Sequence, residues 1–216
     1  MNTNASHFAL SFFVLLALCT SSISQLTKPV QSDADTLVND LRDLPTPLPA
    51  TPRSDGTISP SEQQRRRSYE GLLRLGPSGV LALSRALRDE DVQLRKNAAL
   101  ALNVLAGGWY DSSWPKLDIK PALSTLVAAL QDSDSSVRAW SAQAIGDIGP
   151  DAATAVPDLI RLLSNDDEGS RNSACIALRF IGPAAKQALP DLRKALSDPS
   201  KDVRRFAALA IENIER

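Results

Sequence analysis

Ser124-Thr125-Leu126-Val127-Ala128-Ala129-Leu130 precedes a polar turn, then Val137-Arg138, Ala142, Ala144-Ile145 and Ile148-Gly149-Pro150. The same order returns as Pro157-Asp158-Leu159-Ile160-Arg161-Leu162-Leu163, a polar turn, Ser170-Arg171, Ala174-Cys175, Ala177-Leu178 and Ile181-Gly182-Pro183. It returns once more as Pro190-Asp191-Leu192-Arg193-Lys194-Ala195-Leu196, Val203-Arg204, Ala207-Ala208, Ala210-Ile211 and Ile214. The step from Arg138 to Arg171, and from Arg171 to Arg204, is 33 residues. A fixed period of this size marks a stacked array whose units bury their apolar faces only against each other. The expected fold is all-α, an α-solenoid of four to five helix pairs. Function then belongs on a long surface rather than in a catalytic pocket.

Outward from this stretch, Leu75-Gly76-Pro77 repeats the exit seen at Ile148-Gly149-Pro150 and Ile181-Gly182-Pro183. Glycine accepts the left-handed conformation that closes a helix, and proline stops its continuation. Residues 61–75 therefore read as the second helix of a leading repeat. The next pairs fall at 79–87 with 92–106, 120–130 with 137–148, 155–163 with 170–181, and 189–196 with 202–214. The first helix of each pair is A and the second B. Equivalent positions give the expected core: Leu126, Leu159 and Leu192; Leu130, Leu163 and Leu196; Leu94, Val137 and Val203; Leu105, Ile148, Ile181 and Ile214. Residues 61–216 form the expected array.

Residues 25–60 are rich in Pro, Ser, Thr and Asp and read as a linker, with Pro45, Pro47, Pro49 and Pro52 favouring extended backbone. Inside it, Ser32–Leu44 has a helix pattern, with Ser32 as N-cap and Leu37, Val38, Leu41 and Leu44 on one face. Two readings stand for it: the first helix of an irregular leading repeat, or a partly disordered spacer. Residues 1–24 read as a signal peptide: an apolar run from Phe8 to Cys19, then the small-x-small site Ser22-Ile23-Ser24. No Lys or Arg precedes the run, so an uncleaved anchor is the alternative. The expected location is periplasmic or extracellular, or membrane-anchored if the segment is retained. After cleavage no membrane span is expected.

Composition narrows the chemistry. The chain has 216 residues, with 24 basic and 25 acidic side chains, so bulk charge gives no reason to expect nucleic-acid binding. Its one histidine is His7, which leaves the array without one. That argues against histidine-based zinc sites and acid–base or nucleophilic triads. Neither a cofactor nor a metal is expected. Cys175 stands where other repeats carry Ala99, Ala142 and Ala208 and reads as a small core residue.

The turn Asp, the Val-Arg opening of B helices, the paired alanines and the Ile-Gly-Pro exit resemble HEAT repeats. The resemblance is to their short form, also seen in phycobilin lyase subunits. It implies an array that serves as a scaffold or binding surface, with a bilin lyase-like role or an enzyme accessory subunit as the alternative. Asp89, Asp132, Asn165 and Asp198 stand five residues before the Val-equivalent position, and Arg65, Arg95, Arg138, Arg171 and Arg204 one residue after it. Repeated at one offset, they read as a structural ladder of charge-assisted hydrogen bonds between turns.

Two places break the period. The interval from Arg95 to Arg138 is 43 residues, so ten extra residues lie at 107–116 and carry Trp109, Tyr110 and Trp114. Insertions in solenoids form loops, often on a binding face. The other place is the outward face of the B helices. Its columns are Arg67, Asn97, Trp140, Ser173 and Phe206; Glu70, Leu100, Gln143, Ile176 and Leu209; and Val104, Asp147 and Phe180. Trp140, Phe180, Ile176, Phe206, Leu100 and Leu209 would line an apolar groove, with Arg65, Arg66 and Arg67 at its N-terminal end. Trp140 and Phe206 are the expected partner contacts there. The expected protein is a monomeric, non-enzymatic scaffold that grips a protein or peptide along this face.

Overall fold

The computed structural model describes residues 33–45, 59–107 and 114–216. Trp109, Tyr110 and the apolar N-terminal run lie outside the described residues. Every regular element described is helical. A short helix α1 (33–39) leads to α2 (Pro60–Leu75), α3 (Pro77–Ala86) and α4 (Val92–Gly107). These are followed by α5 (Leu123–Ala129), α6 (Ser135–Ile148), α7 (Val156–Leu162), α8 (Glu168–Ile181), α9 (Leu189–Ala195) and α10 (Lys201–Glu215). The B helices α4, α6, α8 and α10 stack side by side in chain order, and the A helices lie against them.

The joints follow the expected chemistry. Gly76, Gly149 and Gly182 close α2, α6 and α8 at φ of 53°, 73° and 66°, a region other residues adopt at a cost. The A helices are shorter than the pattern suggested. Gly149–Ala155 and Gly182–Ala188 form 3₁₀ turns that kink at Ala152 and Ala185 before α7 and α9 begin. Two prolines bracket each turn: Pro150 and Pro157, then Pro183 and Pro190. Asp134, Asp167 and Ser200 cap the B helices by accepting backbone N–H groups of the first turn.

Leu126, Leu159, Leu192, Val137, Val203, Ile181 and Ile214 are fully buried, and Leu94 and Leu105 nearly so. Cys175 is buried among them, and burial pushes its thiol pKa up to about 12, as befits an inert core residue. Two expected core positions differ. Ile148 is only half-buried, beside a cleft lined by Ala106, Lys116 and Leu117. Leu196 is 42% exposed, although its equivalents Leu87, Leu130 and Leu163 are buried.

The ladder is present, and it joins repeats in two directions. Arg95 donates from Nη1 to the carbonyls of Asp89 and Glu90 in its own turn, at 2.9 Å each. Its Nε and Nη2 grip both carboxylate oxygens of Asp132 in the next turn, at 2.7 and 3.2 Å. Arg171 does the same, holding the carbonyls of Asn165 and Asp166 and forking onto Asp198 at 2.7 and 3.0 Å. Arg138 holds Asp132 and Ser133 carbonyls but meets Asn165, where a carboxylate is missing, at 3.4 Å, and turns its Nε to Ser170. The turn side chains also shape their own turns: Asp89, Asp132, Asn165 and Asp198 each accept the N–H two residues on.

Arg65 departs from the ladder. It is fully buried and donates to Asn97 Oδ1 and the Pro45 carbonyl, while Arg42 takes over Asp89 and Asp91. Asn97 Nδ2 in turn holds the carbonyls of Leu41 and Leu44 at 2.6 and 2.8 Å. The carbonyls that follow α1 are thereby satisfied from α2 and α4, and Ala34, Val38, Leu41 and Leu44 are buried. Residues 33–45 thus pack as part of a leading repeat.

Asp198→Ala removes the fork of Arg171 and the turn bond to Ser200 together. We expect a loss of about 2 to 3 kcal/mol in chemical denaturation. Arg171 and the Ser200 N–H hold the folded Asp198 carboxyl below the usual range. This stabilisation is complete above the unfolded value near pH 4 and is lost as pH falls through the folded value. The variant should therefore show a shallower loss of stability on acidification than the wild type.

Candidate functional site

The face of the B helices away from the A helices carries the expected partner residues. Trp140 on α6 and Phe206 on α10 are half-buried and pack partly against the core. Phe180 on α8 is 49% exposed. Arg205 lies 4.6 Å from the Phe206 ring centre, and Arg179 lies 5.9 Å from that of Phe180. A cation over a ring face is attracted by its quadrupole, so both pairs present a flat apolar ring with a charged cover. Their signal in the sequence is the dipeptide Arg-Phe at 179–180 and 205–206, whose arginines lie outside the columns.

The groove is shorter than the columns suggested. Asn97 and Ser173 are buried, Asn97 by its bonds to the leading repeat and Ser173 as acceptor for Gln143 Nε2 at 3.1 Å. Leu100 and Val104 are each 8% exposed, so neither lines a groove. Ile176 and Leu209 are half-buried, flanking Phe180 and Phe206. The open apolar stretch is therefore confined to α6, α8 and α10. Close stacking helps shape it: a Cβ on Gly146 would meet Ala177 Cα at 3.0 Å and the Phe180 ring at 3.5 Å. A side chain at 146 would require Ala177 of α8 to give by a few tenths of an ångström.

The inserted loop approaches the other end of the same face. Trp114 is half-buried, with Arg66 5.9 Å from its ring centre and a shallow pocket shared with Glu70, Leu73 and Arg74 of α2. Arg66 also pairs with Glu70 at 3.1 Å, and Arg67 is exposed. The arginine cluster thus divides: Arg65 is buried structure, and Arg66 and Arg67 are surface. Beyond Trp114 the chain is pinned by the Leu117 N–H on the Leu105 carbonyl at 2.8 Å. Beside it, Asp147 accepts from Asn103 Nδ2 at 2.9 Å. Burial pushes the Asp147 pKa up to about 6, against the pull of Lys116 and of the Asn103 bond. Among the described residues no group of three or more His, Cys, Asp or Glu is placed to hold a metal.

A carboxyl whose folded pKa is raised is destabilising once ionised. That penalty is absent near pH 4, grows toward pH 6 and is constant above. Asp147→Asn keeps an acceptor for Asn103 and removes the charge. Its melting temperature should exceed that of the wild type at pH 7, with the gap closing at pH 4; equal gaps at both would show that Asp147 is solvated.

The family model for HEAT repeats matches residues 123–212. No curated protein matches the chain. Among solved structures, the complex of CpcE and CpcF of phycocyanin lyase from Nostoc sp. PCC7120 is similar. It has a TM-score of 0.61 and 18% identity, covering 83% of this chain and 98% of that one. An engineered protein matches with a TM-score of 0.55 and 24% identity, over 86% of this chain and 90% of its own. A designed armadillo repeat protein in complex with the peptide (KR)4 matches with a TM-score of 0.55 and 22% identity, over 84% and 81%. The chain thus has the all-helical fold of armadillo-type and engineered repeat solenoids, and its residues 123–212 are similar to HEAT repeats.

Proposed function

We propose that this protein is an exported, non-enzymatic scaffold that binds a protein or peptide along the B-helix face of α6, α8 and α10. The observation that supports it most is Phe180, a large ring left 49% exposed in an otherwise well-packed array. Phe206 and Trp140 extend the apolar surface on either side. Exposed rings gathered on one face of a soluble solenoid usually mark a partner surface. The designed armadillo protein binds its peptide as a repeat array of the same general fold.

A second reading, a lyase-like or accessory subunit, draws on the likeness to the phycocyanin lyase complex. At 18% identity that likeness carries the fold and not the activity. Panning the purified protein against a peptide display library tests the scaffold reading. Phe180→Ala should lose most of the enriched binding with an unchanged melting temperature, because the ring is largely outside the core. Trp140→Ala and Phe206→Ala should weaken binding and also lower stability by about 1 to 3 kcal/mol, since both rings are partly packed. Retained enrichment with Phe180→Ala would sink the proposal. Tight binding of a free tetrapyrrole that competes with no peptide would favour the second reading.

A further inference from the structure

In α8, the side that meets the next repeat is made by Glu168, Arg171, Cys175 and Leu178. Glu168 accepts from Ser200 Oγ at 2.6 Å, Arg171 forks onto Asp198, and Cys175 and Leu178 are fully buried. In α6 the corresponding Ala142 and Ile145 are likewise fully buried. In α10 these positions are Lys201, Arg204, Ala208 and Ile211. Here Lys201 and Ala208 are exposed, Ile211 is half-buried, and Leu196 on the neighbouring α9 is 42% exposed. Arg204 still donates to its own turn, to the carbonyls of Asp198 and Pro199, but forms no ion pair among the described residues. The half of the ladder that reaches forward is empty-handed here.

The charge order along this side is specific. Lys201, Arg204, Ala208, Ile211 and Glu215 follow the three- and four-residue spacing of one helix stripe, and Glu212 lies beside Ala208 and Ile211 on the same side. The stripe is basic in its first half, small and apolar in its middle, and acidic in its second half. A second α10 laid antiparallel, with Ala208 against Ala208, sets Lys201 opposite Glu215 and Arg204 opposite Glu212. Ala208 permits close approach, and the two copies of Ile211 flank it. The outer side of the opposite end does not offer the same match: Asp33, Thr36, Asn39, Asp40 and Asp43 are exposed there, as on a polar cap.

We propose that the α9–α10 end is a self-association surface, on which a second copy of this chain docks about a two-fold axis through Ala208. An isologous contact of this kind needs a self-complementary patch, and the basic-to-acidic stripe supplies it. The existing pairs Glu215–Arg193 and Glu212–Arg216 are both solvent-exposed, so exchanging partners costs little. The surface is distinct from the ring-bearing face, and the dimer proposed on it is the alternative to the monomer expected from the sequence.

Sedimentation velocity on the full chain should show a dimer fraction that rises between about 1 and 100 µM, as a micromolar Kd requires. Lys201→Glu and Glu215→Lys should each weaken dimerisation about tenfold by opposing like charges, and the double exchange should restore it. Circular dichroism should be unchanged in all three. Ala208→Cys should give a disulfide-linked homodimer under oxidising conditions, because the two-fold axis brings the new thiols together. A wild-type chain that stays monomeric over this range overturns the proposal. So does a dimer that ignores both single charge exchanges, or an Ala208→Cys chain that links only to a different protein.

Discussion

Arg95 and Arg171 each do two jobs with one planar group. One nitrogen holds the carbonyls of its own turn, and the remaining two grip the side chain of the next. The rest of the array depends on this double hold. Helices of seven residues such as α5, α7 and α9 are too short to persist alone, and they exist because neighbouring turns are fixed at the right spacing. The guanidinium suits the role because its donors are coplanar and its charge permanent, which a lysine cannot match. Stability in such an array is a sum over neighbours, so each arginine belongs to the joint between repeats rather than to either one.

The functional face follows from the same stacking. Core alanines let the B helices run close together, and the missing Cβ of Gly146 leaves room for Ala177 and Phe180 of α8 against α6. Packing consumes most of the large apolar residues, which is why so few rings remain outside. Phe180 stands free because its position lies on the open side of α8, and Arg179 and Arg205 lie over the two phenylalanines from adjacent positions in the chain. Trp114 after the insertion and Arg66 of α2 meet at the far end, and the middle of the face is closed by the buried Leu100 and Val104.

Much of this was legible from periodicity. The repeat fixed the helix order, the glycine exits, the buried Leu and Val ladder and the arginine offsets, because each of these is dictated locally and recurs every 33 residues. What escaped were properties of particular neighbours. Asn97 looked like a surface residue by its column, yet it is buried because it satisfies the carbonyls of Leu41 and Leu44, 56 and 53 residues away. Arg65 kept the ladder's spacing and lost its role, since Arg42 occupies Asp89 from a part of the chain with no repeat signature. Leu196 obeyed the core pattern and is exposed, because a pattern records what a repeat offers and not what covers it. Asp147 carried no motif at all; its raised pKa arises from burial, which the column pattern does not encode.

The rung at Asn165 differs from its neighbours. An amide replaces the carboxylate, and Arg138 reaches it at 3.4 Å where Arg95 and Arg171 reach their acids at 2.7 Å. Asn165 has no carboxylate to protonate, so acid that neutralises Asp132 and Asp198 leaves this rung as it is. The joint between α6 and α8 keeps its other bonds as well, from Arg138 Nε to Ser170 and from Gln143 Nε2 to Ser173.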